Sequence, residues 1–205
     1  MGVEFAYLTG WRLGEILPLT WRQIDLKAGI IRLEPGSTKN DEGRSFPFRA
    51  LPALAALIER QREATTLAER ETKRIIPWVF HREGEPIRDF RGAWKTACIA
   101  AGLFRVLLPT PGETDGEKRP TRPFHDLRRT AVRNLERAGV SRSVAMKLTG
   151  HKTESIYRRY AIVNEGDLAQ GVAKLATLHE EPGASEGRVI DLVGRTRQVP
   201  GKSGG

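Results

Sequence analysis

A single cysteine, Cys98, leaves no partner for an internal disulfide and no Cys-x-x-Cys pair for zinc. No stretch of ~18 apolar residues exists, so no transmembrane helix is expected. The opening residues, Met1 to Phe5, lack the basic stretch that precedes the apolar core of a secretory signal. There is no glycine-rich P-loop, no cluster of carboxylates suited to Mg²⁺, and no internal repeat. These absences argue against a disulfide scaffold, a Cys-type zinc module and a P-loop ATPase, and they predict no metal and no cofactor. An apolar share of 39% in 205 residues is enough for a packed core. The expectation is a cytoplasmic globular protein with no membrane partner.

What the chain has in excess is positive charge, 34 Lys and Arg against 25 Asp and Glu, for a net +9. The excess is local: residues 118–160 hold twelve basic and three acidic side chains, and the remainder balances. A surface that gathers its whole excess in one stretch attracts a polyanion by releasing condensed counterions. A solvated basic face has the same composition, so charge alone suggests nucleic acid without specifying it.

Periodicity predicts a mainly helical α+β domain. An apolar helix stops at Gly10, and a short one runs from Trp11 to Leu19. Ile24–Leu26, Ile30–Leu33 and Ser45–Phe48 read as three short strands of a small antiparallel sheet, with Pro47 on an edge. Helical spacing returns over 51–70 through Leu54, Leu57, Ile58 and Leu67. Residues 75–80 read as a strand or a buried extended link. Asp89 is placed to cap a helix with Phe90, Trp94, Ala97 and Ala101 on one stripe, closed by Gly102. Leu103 to Pro123, rich in Pro, Gly and charge, reads as a long loop. Helices over 126–138, 141–148, 155–160 and 166–178 follow, the last carrying Leu168, Val172 and Leu175 on one face. Beyond residue 180 the chain is predicted to be a disordered tail, leaving 1–179 as the folded domain.

Six residues are candidates for chemistry. His125 and Arg128, three apart at a helix start, emerge on one face. His151 follows Gly150 in a tight link between helices, and Tyr160 lies nine residues on. Arg12 follows the Thr9-Gly10-Trp11 turn, and Lys39 sits in the hairpin segment Ser37-Thr38-Lys39-Asn40. Each has an ordinary explanation: a solvated arginine, a soluble turn lysine, a packing histidine, a half-buried tyrosine. Singly, none would carry a hypothesis.

In order they read TGWRLGEILPLTWRQID, STKN, HDLRRT, TGH and RRYAIVNEGDL. This succession resembles the catalytic domain of the tyrosine recombinases, the phage integrase family, over about Phe5 to Leu178. The resemblance implies the DNA breaking-rejoining fold and a functional set of Arg12, Lys39, His125, Arg128, His151 and Tyr160. It picks Tyr160 over Tyr157 as nucleophile, because the family's tyrosine precedes a segment like Ala161-Ile162-Val163-Asn164. It implies a site-specific recombinase or integrase of bacterial or phage origin that cleaves and rejoins double-stranded DNA through a 3′-phosphotyrosyl link.

A tyrosine hydroxyl with pKa about 10 is ionised in only about one molecule in a thousand at pH 7, a deficit of ~4 kcal/mol. In the implied scheme His125 accepts that proton. Arg12 and Arg128 present paired N–H donors to the non-bridging phosphate oxygens, and His151 adds a further hydrogen bond. Lys39 protonates the 5′ leaving oxygen. Arg129 falls to a structural or DNA-backbone role. Asp167 to Leu178 is expected to pack on a neighbouring copy in a DNA-bound tetramer, or in cis on its own chain.

Related proteins carry a helical core-binding domain before the first catalytic arginine. Only about ten residues precede Arg12, so that domain is expected to be missing and the first helix clipped. Three rival readings stand beside this one. A non-catalytic helix-turn-helix binder would use 126–138 and 141–148 with Arg142 and Lys147. A type IB topoisomerase-like enzyme would share the chemistry. An inactive remnant would bind DNA or an intact recombinase.

Overall fold

A computed structural model describes residues 1–34, 43–108, 116–161 and 165–180. It contains two compact units, 1–162 and 163–205. The first begins with α1 (Gly2–Thr9) and the single turn α2 (Leu13–Ile16), followed by β1 (Ile24–Asp25), β2 (Ile30–Leu33) and β3 (Arg44–Phe46). The three strands form one antiparallel sheet in the order β1-β2-β3, with Ile31 opposite both Ile24 and Phe46. Along β2, Ile31 and Leu33 are buried and Arg32 between them is exposed, the alternation that the pleat imposes.

The long helix α3 (Pro52–Thr72) starts with proline at its first position, where no hydrogen bond is lost. It buries Leu54, Leu57, Ile58, Gln61 and Thr65, whereas Leu67 is exposed. The following segment is the extended link, joined to the rest by a single bridge between Thr20 and Trp78. Phe5, Trp11, Phe46 and Phe80 meet edge to face at the centre of this half, with ring centroids 5.4 to 6.2 Å apart.

The ribbon β4 (His81–Arg82) and β5 (Glu85–Pro86) leads to α4 (Arg91–Ala100). Asp89 accepts from the Arg91 N–H, but the residue before the helix is Phe90. The buried phase of α4 is Trp94 and Cys98; Ala97 and Ala101 face solvent. The predicted loop 103–123 contains a second ribbon, β6 (Phe104–Val106) paired with β7 (Lys118–Pro120). The carbonyl of Leu103 accepts from Thr121 at its base, and Trp94 Nε1 donates to the Arg122 carbonyl.

The helices α5 (Asp126–Arg137), α6 (Arg142–Thr149) and α7 (Glu154–Arg158) complete the unit around a small core of Val132, Ala145 and Tyr157. Gly10, at φ +68°, ends α1 where the chain presses on α5 and α6. A Cβ there would lie 3.0 Å from that of Ala131 and 3.2 Å from Thr149 Cγ2. The predicted mainly helical α+β architecture with its three-stranded sheet is the one found, with two further ribbons. In the second unit, α8 (Glu165–Glu180) exposes Leu168, Val172 and Leu175. Among the described residues no helix is long and apolar enough to cross a membrane. The tail beyond residue 180 lies outside them.

Candidate active site

The link from β7 to α5 turns tightly. Asp126, Leu127 and Arg128 donate their N–H groups to the carbonyls of Pro123, Phe124 and His125. Phe124 is held between Phe90 and Trp94, at 5.4 and 5.2 Å, which fixes the start of the helix. His125 and Arg128 then project from consecutive positions of one face.

Arg128 is 2% exposed. Its Nη1 donates to the carbonyls of Gly10 and Thr149, each at 2.6 Å, and its Nε points at His151 Nε2 at 3.3 Å. Its Nη2 is buried with no hydrogen-bond partner among the described residues. Among the described residues no carboxylate forms a salt bridge with it. Burial, and then the positive charges of Arg12 and Arg44 against the opposing pull of Glu15, lower its pKa to about 10, so it stays protonated at neutral pH.

His151 lies just past Gly150, which closes α6 at φ +71°, where a Cβ would overlap the Arg44 guanidinium. The imidazole is buried, with Nδ1 2.7 Å from Thr149 Oγ1. Burial, followed by Arg128, Arg12, His125 and Arg44, depresses its pKa to about 3. It is neutral at pH 7.

Tyr160 follows α7, and its N–H donates to the Tyr157 carbonyl. Tyr157, one turn earlier, is fully buried between Val132 and Ala145, with its ring 5.3 Å from that of His151. Burial and the Glu136 carboxylate push the Tyr157 hydroxyl well above its usual pKa. Tyr157 is thus the anchor of the turn. Tyr160 is half-exposed, its hydroxyl 2.7 Å from His125 Nε2 and its ring 5.0 Å from that of His151. Partial desolvation, then Arg128, Arg12 and Arg129, outweigh Asp126 and lower the pKa of His125, which favours the neutral, proton-accepting ring.

Arg12 precedes α2, and its charge acts on the same cluster, where it lowers the pKa of Arg128, His125 and His151. Its conformation is set by Glu15, which accepts from the Arg12 backbone N–H at 2.8 Å and from Nη1 at 3.1 Å. Glu15 is itself buried and ion-paired with Arg44, which lies over the Trp11 ring at 4.5 Å and donates to the Thr149 carbonyl.

Direct contacts therefore join four of the six sequence candidates, His125, Arg128, His151 and Tyr160; the charge of Arg12 acts on three of them, and Lys39 lies outside the described residues. Sequence reasoning missed Glu15, Arg44 and Thr149. Glu15 had a local signal, an acid three residues after Arg12 at a helix start. Arg44 had none, because its partners are 29 and 105 positions away.

A sequence model described as the phage integrase family matches residues 1–166. The integrase of Salmonella phage P22 is 25% identical over 187 residues, which is 86% of this chain and 42% of the relative. The chain thus spans less than half the length of that curated relative. Among solved structures, XerA recombinase superposes with a TM-score of 0.55 at 18% identity, over 83% of this chain and 55% of that one. A lambda integrase dimer bound to a COC′ core site gives 0.52 at 22% identity, over 78% of this chain and 50% of that one. At these identities the structural likeness establishes a shared fold.

Proposed function

This chain belongs to the phage integrase family, and on that premise we propose that it is a site-specific recombinase that breaks and rejoins double-stranded DNA through a 3′-phosphotyrosyl intermediate. The observation that carries the reading is the 2.7 Å contact of His125 Nε2 with the Tyr160 hydroxyl, beside a buried Arg128 whose Nη2 has no partner among the described residues. A neutral His125 takes the phenolic proton as Tyr160 attacks phosphorus. Arg128 and Arg12 stabilise the charge that develops on the non-bridging oxygens. His151 closes the hollow behind Arg128. The ester energy is kept in the phosphotyrosine, so rejoining needs no nucleotide.

Lys39 is proposed as the acid that protonates the 5′ oxygen. Lys39→Ala is then expected to block cleavage of a normal substrate and to spare one with a better 5′ leaving group; equal loss on both removes it from that role. The exposed apolar residues of α8 support docking on a second copy in a DNA-bound oligomer. Removal of the chain from Asp167 onward is expected to reduce cooperative assembly on DNA.

The helix-turn-helix reading fits less well. The side chain of Arg142 on its second helix is ion-paired with Glu154 at 2.7 Å, and Arg128 on the first is turned inward. A nicked suicide DNA substrate resolved on a denaturing gel tests the enzymatic reading. A protease-sensitive covalent band is expected; retained DNA binding with no such band would favour a non-catalytic binder.

A further inference from the structure

The Thr149 hydroxyl has one proton and two short contacts. It lies 2.7 Å from the Ala145 carbonyl oxygen and 2.7 Å from His151 Nδ1, with the Met146 carbonyl farther off at 3.5 Å. A carbonyl cannot donate, so the 2.7 Å contact to Ala145 requires the hydroxyl proton to point there. The lone pairs of Oγ1 then face His151, and the 2.7 Å contact on that side is satisfied only by a proton on Nδ1. In a neutral imidazole the bond made by one nitrogen decides which nitrogen carries the proton. The other, Nε2, is left with a lone pair, and it is Nε2 that the Arg128 Nε–H approaches at 3.3 Å.

We infer that Thr149 is a positioning residue that locks His151 in its Nδ1–H tautomer and so makes it the hydrogen-bond acceptor that orients the Arg128 fork. The inference deepens the reading of the pocket as a phosphate site and rests on it for its functional consequence. Two guanidinium nitrogens are used in this arrangement, Nη1 on the carbonyls of Gly10 and Thr149 and Nε on His151, and Nη2 is the donor left over. With the opposite tautomer, Nε2–H would face Nε–H, two donors in contact, and the fork would lose its third anchor.

A donor role for His151 toward an anion therefore requires a second proton, on Nε2. In the free protein that proton is opposed by burial and by Arg128, Arg12, His125 and Arg44. The rings of Tyr157 and Tyr160 cover the imidazole without offering a counter-charge there. An incoming phosphate would be the missing negative charge.

The test is long-range proton–nitrogen correlation NMR on the full chain with labelled histidine at pH 7.5, with His151 assigned by His151→Gln. In the native protein the ring proton is expected on Nδ1. Thr149→Val, which removes the hydroxyl but keeps the shape and the backbone carbonyl, leaves only the Arg128 contact to favour Nδ1–H and is expected to populate the Nε2–H form beside it, and Thr149→Ser to restore the single tautomer. A native proton on Nε2, or a valine variant in which Nδ1–H stays the sole tautomer, overturns the inference whether or not the chain cleaves DNA. On the suicide substrate, Thr149→Val is expected to slow adduct formation about tenfold and Thr149→Ser to recover most of it, the scale of loss seen when an imidazole loses its supporting partner. Tautomers as expected but no adduct from any form would refute the recombinase reading and leave the lock standing.

Discussion

Arg44 and Arg128 are both buried guanidinium groups and both donate to the Thr149 carbonyl, yet their surroundings differ in kind. Arg44 is ion-paired with buried Glu15 and covered by the Trp11 ring, so its charge is answered within the protein. Among the described residues Arg128 has no salt bridge: two carbonyls and an imidazole hold it, Glu15 acts on it from a distance, and two more arginines oppose its charge. A buried charge without a counter-ion is costly, and a fold keeps one where the counter-ion arrives from outside. Arg44 belongs to the scaffold. On the proposed function, Arg128 is the one left for the substrate.

The sharpest way to break this contrast is to remove each group. Arg128→Gln is expected to lower covalent adduct formation by at least about 10²-fold, the usual loss when a transition-state charge donor is removed. Arg44→Met is expected to cost about 1–3 kcal/mol of stability, because it takes one charged partner from the buried Glu15 carboxylate and leaves Arg12 alone to hold it. Arg128→Gln leaves no buried charge behind and is expected to cost less in chemical denaturation. If the two variants exchange these effects, the assignment of scaffold and substrate arginine is wrong.

A smaller effect concerns His125. Its pKa is lowered, so the neutral base persists below the ordinary 6.5 of histidine, and the acid limb of the cleavage rate is expected below that pH. A limb at higher pH would mean that His125 is not the base. Smaller still is the contribution of His151 to stability. Its pKa falls from 6.5 in the unfolded chain to about 3 in the folded one, so the unfolded state binds the proton more readily. That contribution is complete above pH 6.5 and is lost as pH falls towards 3. Denaturation of His151→Gln is expected to show a shallower acid loss than the native chain, and equal slopes would show that the imidazole is not held neutral.

The sheet was legible because the short run Ile30–Leu33 is rich in β-branched residues, with Arg32 between Ile31 and Leu33, and has turn residues on both sides. The phase of α4 was not, since Ala97 and Cys98 both satisfy helical spacing from Trp94 and only packing against neighbours selects Cys98. The ribbon β6–β7 was hidden by Pro, Gly and charge, which register as loop when tertiary support is not seen. The pocket side chains were legible as an ordered set of motifs. Of the groups that hold them, Arg44 acts through contacts with segments distant in sequence, which no local pattern reports, whereas the Thr149 hydroxyl reaches His151 from two residues away.

The most direct measurement is to trap the covalent complex on a suicide substrate, digest it and locate the nucleotide-bearing tyrosine by mass spectrometry. The account predicts the nucleotide on Tyr160, with adduct abolished in Tyr160→Phe, formed by Tyr157→Phe, and DNA binding retained in both. A nucleotide on Tyr157, or an adduct that survives Tyr160→Phe, would contradict it.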